Sequence, residues 1–404
     1  MKICQVAPEL LPVPPTKGGA IERWIRDAAV RLNGRGHEVH VIARDHGDGV
    51  ASSVIDGVQY HFVIIPAAID SGRLAGLFRG LWYYWHVRAL LRRIAPDIVH
   101  HHSRPAGLWL SASSSLAARY LISLHSMDYG WGFGHRAWDR RWFARGFALA
   151  SRVLCVSNFI ERLAVDRYPG IRKTATTFYN GVDGSLFQPG VGSPSTALRA
   201  GRESGVGNHE PTILYVGRIE QRKGVKVLVD AFEQIISPQV PEAKLLIVGP
   251  HSYWDAQPSG YYRTLADRCA ANPRIEMPGP TNQDDELSAL YRRATVSVVP
   301  SVFPEGFPLT SIEAQASGAP VVVSNVGGLP ESVSPESGIV FESENVDQLA
   351  EAIVSLLQDD ERRQAMAAGA RAWAMAQYSW DVVAARLEQE YAQALAQPAP
   401  EAAR

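Results

Sequence analysis

The chain reads as an α/β protein built from two doubly wound domains that face each other across a cleft, with a long helix at the C-terminal end. Three observations carry this expectation. Strand-like runs such as TILYVG, KLLIVG and PVVVSN are near-continuously apolar, as strands of a parallel sheet covered by helices on both faces must be. These runs alternate with segments of helical apolar spacing, the pattern of crossover-connected parallel strands. The alternation then stops at residues 189–210, a Gly-, Ser- and Pro-rich stretch without apolar periodicity, and starts afresh beyond it.

Taken in order, MKICQVAP is a strand that ends in a Pro-rich, Gly-containing loop, and IERWIRDAAVRLNGRGHEV keeps helical spacing until glycines break it. VHVIAR, VQYHFVIIP and DIVHHHS read as strands, with GLFRGLWYYWHVRALLRRIAP as a helix between them. YLISLH, a helix near 135–150, RVLCVSN and a helix ending near YPG come next, before the turn-rich YNGVDGSLFQPG. The second unit runs through TILYVGR, a helix over 224–236, KLLIVG, a helix over 259–271, RIEMPG, a helix over 284–293, VSVVPS, a helix over 309–317, PVVVSN and GIVFE. Residues 376–396, with the cap-like Ser379, read as one terminal helix before a Pro/Ala tail. The expected division is an N-terminal domain 1–190, a linker 191–210, a C-terminal domain 211–375, and a helix and tail 376–404.

A length of 404 residues suits two or three domains, and 46% hydrophobic with 20% charged residues excludes a disordered or coiled-coil chain. Cys4, Cys155 and Cys269 are too far apart and too few for a disulfide framework or a zinc knuckle, which points to a reducing cytoplasm. The first residues carry one lysine and then prolines in place of an apolar signal-peptide core, and no run approaches the length of a membrane span. The net charge of −1 hides an asymmetry, since residues 1–190 hold 23 Lys and Arg against 14 Asp and Glu (+9), and residues 191–404 hold 17 against 27 (−10). A basic front half suits steering of an anionic substrate or peripheral contact with an acidic lipid surface at the inner membrane face; unevenly solvated faces are the plainer alternative. Nucleic acid is excluded as a partner because the basic residues are dispersed and no recognition motif is present.

Two motifs carry chemistry. In VFPEGFPLTSIEAQASGAPVVVSNVGG, Glu305 precedes a helix and Glu313 lies within it, with Phe307 and Pro308 at the start. Pro308 suits the first helical turn, which leaves the backbone N–H groups of Leu309, Thr310 and Ser311 without helical partners. These donors and the positive end of the helix dipole would receive a diphosphate, while the two carboxylates could accept from hydroxyls of a sugar and of a ribose. In YVGRIEQRKG, Arg218 and Lys223 sit between a strand and a helix, a planar fork and a point charge able to converge on one anion. A basic solvated loop and an ordinary capped helix are the alternatives that each motif faces when read alone.

Together, and in this order, G-R-x4-K-G and E-G-F-x5-E resemble the C-terminal domain of the family 4 retaining glycosyltransferases of the GT-B fold, and the resemblance spans nearly the whole chain. KGGA at 17–20, YNGVD at 179–183 and the aromatic Tyr378-Ser379-Trp380 element support it. The resemblance implies that Arg218, Lys223 and the amides of Leu309 and Thr310 bind the donor diphosphate, Glu305 the donor sugar and Glu313 the ribose, with Phe307 also donor-binding. It implies that Gly18 and Gly19 let the backbone approach the diphosphate, and that His125 and Glu305 act at the reacting centre. His125 departs from the family's usual His-Asp pair, since Asp128 stands three residues on.

The activity implied by the resemblance is transfer, with retention, of a sugar from a UDP- or GDP-linked donor to a hydroxyl of a glycan, a lipid-linked saccharide or a small molecule, with neither cofactor nor metal. A nucleotide-sugar epimerase of the same fold and a non-catalytic sugar-nucleotide-binding protein are the rivals. The run His100-His101-His102 offers a metal site only if His100 and His102 share a strand face; lining of the acceptor cleft by His101 or Arg104 is the other option. The aromatic clusters at Trp82-Tyr83-Trp85 and at 129–143, the second interleaved with arginines, read either as an interfacial or saccharide-binding surface or as core packing, and core packing is the expectation.

Overall fold

The computed structural model describes residues 1–16, 19–70, 75–113, 116–126, 137–190, 210–252, 257–281 and 283–397. It divides into two compact units, Met1–Asn180 with Asp381–Arg404, and Gly181–Trp380.

Among the described residues, the front unit has an eight-stranded sheet of β1 (Lys2–Val6), β2 (Glu38–Arg44), β3 (Ser52–Ile55), β4 (Val58–Val63), β5 (Ile98–His102), β6 (Arg119–Leu124), β7 (Ala150–Cys155) and β8 (Ala175–Thr177), in the order β3-β4-β2-β1-β5-β6-β7-β8. All neighbours pair in parallel except β3 with β4. The helix Ala20–Gly34 shows why the chain packs this way, since its buried Trp24, Ile25, Ala28, Ala29 and Leu32 recur along one face. The rear unit has β9 (Thr212–Val216), β10 (Lys244–Val248), β11 (Ile275–Gly279), β12 (Val296–Val299), β13 (Val321–Ser324) and β14 (Gly338–Phe341), all parallel, in the order β11-β10-β9-β12-β13-β14. The strand order reverses at β1 in one unit and at β9 in the other. In such sheets, ligands bind beyond the carboxyl ends of the strands at this reversal.

The unit boundaries differ from those expected from the sequence. Residues 181–190 belong with the rear unit because Ser288 Oγ donates to Leu186 O (2.6 Å), Phe187 packs edge-on against Tyr291, and Arg371 donates to the carbonyls of Gly184 (3.1 Å) and Phe187 (2.6 Å). Residues 381–397 belong with the front unit, where Glu388 pairs with Arg35 (2.6 Å) and His37 (2.8 Å), and Glu390 with Arg152 (2.6 Å). The expected linker at 191–209 lies outside the described residues.

The single terminal helix expected over 376–396 is two helices, Asp360–Tyr378 and Trp380–Ala396, broken at an extended Ser379. The break has a cause: Ser379 bridges Val182 in parallel, with Val182 N donating to Tyr378 O (2.7 Å) and Trp380 N to Val182 O (3.2 Å). Gly181 lies against the Trp380 ring so closely that a Cβ there would come within 2.7 Å of it. The YNGVD and Tyr-Ser-Trp elements are therefore one joint, made where the chain leaves the front unit and where it returns. The helix Val346–Gln358 and the part of Asp360–Tyr378 before residue 376, capped by Asn345 and Asp359, have no counterpart among the elements expected from the sequence.

A polar chain runs through the front unit's core. Gln5 Nε2 donates to Tyr391 Oη (2.9 Å), His100 Nδ1 lies 2.9 Å from the same hydroxyl, and His100 Nε2 lies 2.8 Å from Ser123 Oγ. His102 Nε2 lies 2.6 Å from Gln5 Oε1, and His102 Nδ1 lies 3.1 Å from His125 Nε2. His100 and His102 do share a face, with ring centroids 4.4 Å apart, and His101 points the other way, to Ser111 Oγ (3.1 Å). Every ring nitrogen of His100 and His102 is thus engaged in this network.

Two measurements test this picture. Burial drives His101 and His125 down to about 3 and His100 and His102 well below the ordinary imidazole range, so all four stay neutral when folded. Below about pH 6.5 the unfolded chain binds protons that the folded one refuses, so stability falls with pH by ~1.4 kcal/mol per pH unit for each histidine. The urea midpoint is expected to drop steeply from pH 6.5 toward about 4.5 and less steeply in His101→Asn; a flat midpoint contradicts the network's neutrality. Arg371 also donates to Ala316 O, so Arg371→Met leaves three carbonyls short of a donor and is expected to cost about 2–4 kcal/mol in urea unfolding.

Candidate active site

The loops that come after β9 and β12, on either side of the rear sheet's order reversal, carry the candidate residues. After β9, Tyr215 Oη donates to Arg218 O (2.7 Å), and Glu220 accepts from Arg218 Nη1 (2.5 Å) and from Arg222 Nε (2.8 Å). A 3₁₀ turn at Gln221–Lys223 ends at Gly224, which has φ 69° and lies so close to the next loop that a Cβ would stand 1.8 Å from Pro300 O. No other residue type fits there. This approach lets Arg222 O accept from Val302 N (3.0 Å) and Phe303 N (3.3 Å), and sets Lys223 Nζ 2.5 Å from Glu305 Oε1. Ser301 Oγ donates to the same carboxylate oxygen (2.6 Å), and Gly328 N to Glu305 O (2.8 Å).

The charges at this point decide the state of Glu305. Burial pushes its carboxyl up, but the Lys223 ammonium at contact distance, the Ser301 hydroxyl and the Arg218 charge together outweigh burial and leave it below the usual carboxylate value. Glu305 is thus an ionised acceptor held in place by a cation. Burial, reinforced by the Glu305 charge, raises Tyr215 well above the ordinary phenol range, so its hydroxyl remains a donor.

The helix Leu309–Ala316 starts at Pro308 without a side-chain cap hydrogen bond, and its first-turn N–H groups, at Leu309, Thr310 and Ser311, are of the kind that can receive an anion. The helix is fixed along its length by Ser311 Oγ against Ser332 Oγ (2.7 Å) and by Gln315 Nε2 donating to Ser332 O (2.8 Å). At its far end, Arg371 lies on the carbonyl of Ala316, the favourable place for a cation on a helix dipole. Glu313 is enclosed at 2% exposure and accepts from Tyr291 Oη (3.1 Å) through Oε2. Phe307, expected among the donor-binding residues, is buried and packs edge-on against Tyr378 (5.3 Å), so it anchors the loop to the helix that ends there.

In the front unit, Gly18 lies outside the described residues. Gly19, at φ 122°, precedes the helix Ala20–Gly34; a Cβ on it would fall 2.2 Å from Glu22 Oε2. Glu22 was not among the residues expected from the sequence, although a carboxylate in the first turn after KGGA is a visible signal. Burial pushes it up to about 7, against the pull of its own backbone N–H. His125 comes directly after β6 and packs beside Trp24, 5.7 Å between ring centroids. With the Gln5 amide nitrogen donating to Tyr391, the amide oxygen faces His102, which must donate from Nε2 and accept at Nδ1 from His125 Nε2. His125 therefore carries its proton on Nε2 and keeps Nδ1 as an acceptor. Arg104 pairs with buried Glu9 (3.4 Å) from a left-handed backbone at φ 55°, next to Ser103 at φ 56°, and His101 is a core residue. Asp128 and the aromatic run from Tyr129 to Phe133 fall outside the described residues, whereas Phe143 and Phe147 are buried as expected. Among the described residues, no group of three potential metal ligands is present.

Comparison with known proteins places this geometry. The model of Glycosyltransferase Family 4 matches residues 18–186, and that of Glycosyl transferases group 1 matches residues 200–373. The spore coat protein SA of Bacillus subtilis is 27% identical over 397 residues, covering 97% of this chain and 99% of that protein. The GDP-mannose-dependent monoacylated alpha-(1-6)-phosphatidylinositol monomannoside mannosyltransferase of Corynebacterium glutamicum is 30% identical over 290 residues, covering 69% of this chain and 71% of that protein. Among solved structures, sucrose-phosphate synthase from Thermosynechococcus elongatus superposes with a TM-score of 0.75 at 22% identity, over 97% of this chain and 99% of that one. With two parallel-sheet units in GT-B order and both family models matched in sequence, the chain belongs to the family 4 glycosyltransferases, glycosyl transferases group 1, and is a glycosyltransferase.

Proposed function

We propose that this glycosyltransferase moves a sugar from a UDP- or GDP-linked donor, held by the rear unit, to a hydroxyl of a glycan, a lipid-linked saccharide or a small-molecule acceptor, with retention of anomeric configuration. One observation carries the reading: Lys223 and Glu305 meet within 2.5 Å, under the charge of Arg218, in the loop that leads to the uncapped helix Leu309–Ala316. Cations and aligned amides suit the diphosphate, and an ionised carboxylate suits the sugar hydroxyls. The Corynebacterium relative, by its name GDP-mannose-dependent, supports a nucleoside diphosphate sugar as donor.

The barrier falls where negative charge grows on the departing diphosphate, and Arg218, Lys223 and the amides of Leu309 and Thr310 stabilise that charge. Glu305 orients the sugar, and Lys223 orients Glu305. Glu313, whose carboxylate Tyr291 Oη holds in place, takes the ribose. His125, neutral, accepts a sugar hydroxyl at Nδ1 and works through orientation rather than proton donation. In a front-face transfer the acceptor oxygen bonds to the anomeric carbon as the bond from that carbon to the phosphate oxygen breaks, and the hydroxyl proton passes to the departing phosphate.

Arg218→Ala and Lys223→Ala are each expected to lower kcat/KM for donor turnover by about 10²–10³-fold, measured as acceptor-dependent release of nucleoside diphosphate. Turnover that survives both substitutions contradicts the assignment. Retention is tested separately by proton NMR of the first-formed product: an inverted anomer removes that part of the reading and leaves the donor site standing.

A further inference from the structure

The helix Ala75–Ile94 presents a surface to which the proposed transfer assigns no role. Its inward face buries Tyr83, Tyr84, Val87, Leu91 and Ile94. The sequence pattern placed Trp82 and Trp85 in the core as well, but Leu77, Phe78, Leu81, Trp82 and Trp85 stand exposed on the outward face, Trp85 at 66%. Ile64, also exposed, extends the patch, for its carbonyl accepts from Trp82 Nε1 (3.1 Å). Of the thirteen large apolar side chains exposed among the described residues, these are six. A contiguous patch of this kind on a globular unit marks an interaction surface.

We propose that this stripe docks the protein on an anionic lipid bilayer, the helix lying in the plane of the headgroups. Charge selects the occupant. The helix holds four arginines, Arg79, Arg88, Arg92 and Arg93, and no Asp or Glu. At 100° per residue, Arg88 and Arg92 continue the apolar stripe toward the C-terminal end, so one face is apolar at one end and cationic at the other. The surrounding sequence, residues 1–190, carries +9. A second copy of the chain would bring the same positive field to the same face, whereas anionic headgroups neutralise it. The apolar part suits the interface in detail. Trp82 has its indole N–H already bonded to Ile64 O, so it enters a low-dielectric layer without an unpaired donor. Trp82 and Trp85 both pack on His86, at 4.5 and 4.9 Å between centroids, which holds the two indoles at fixed positions. Tryptophan rings favour the headgroup level, and a helix with apolar and basic portions on one face lies on a membrane rather than through it. Among the described residues no helix is long and apolar enough to cross a membrane.

The test is flotation of the full chain with vesicles of phosphatidylcholine containing about a third phosphatidylglycerol, against pure phosphatidylcholine. The wild type is expected to bind the anionic vesicles, more weakly as salt rises. Leu81→Gln with Trp85→Gln, both at exposed positions, is expected to lower the partition at least about tenfold, and Arg93→Gln to lower it severalfold on anionic vesicles only. The thermal shift with UDP or GDP reports that the variants are folded, and vesicle binding needs no turnover, so failure here leaves the donor reading untouched. Wild-type protein that ignores anionic vesicles, or binding that survives the double substitution, overturns the proposal. So does a dimer, seen by light scattering without vesicle binding, that the double substitution disperses.

Discussion

The close approach of two backbone loops at Gly224 and Pro300 is the constraint on which the candidate site depends. A left-handed residue without a side chain lets the loop after β9 lie against the loop after β12, and Lys223, one residue earlier, is thereby set on Glu305. A cation brought to contact makes the carboxylate an ionised acceptor despite its burial, and the carboxylate in turn holds the cation. The same crossing brings Arg222 O within reach of the backbone donors of Val302 and Phe303, so the two loops are hydrogen-bonded together. In the proposed transfer, such preorganisation helps because the dipoles need not reorient as the bond breaks.

The helix that begins at Leu309 is treated differently at its two ends. Its N-terminus is left without a side-chain cap, and its C-terminus receives the guanidinium of Arg371 from a helix far along the chain. Arg371 simultaneously holds Gly184 and Phe187, residues of the segment that joins the units. One half-buried cation thus holds both the C-terminal end of this helix and residues 184 and 187. Phe307 serves the same end by packing edge-on against Tyr378.

In the front unit, a chain of hydrogen bonds runs from Ser123 and His100 through Tyr391 and Gln5 to His102 and His125. Buried polar groups are tolerated because each finds a partner, and the chain settles which nitrogen of His125 is protonated. Tyr391 enters this network from the last helix, which explains why the C-terminal residues return to the unit where the chain began.

The order of strands and helices, the near-uniform apolar character of the parallel strands, and the motifs around Arg218, Lys223, Glu305 and His125 are legible in the sequence, because periodicity and turn chemistry are local properties. Contacts across long separations are not. Nothing local tells that Ser379 breaks a helix to pair with Val182, that Phe307 faces Tyr378, or that Trp82 and Trp85 face solvent while Tyr83 is buried between them. The residue types and their spacing determined the chemistry this chain can offer; the burial, pairing and charge state of each group were decided only when distant segments were packed together, since desolvation and Coulomb energy depend on neighbours in space rather than in sequence.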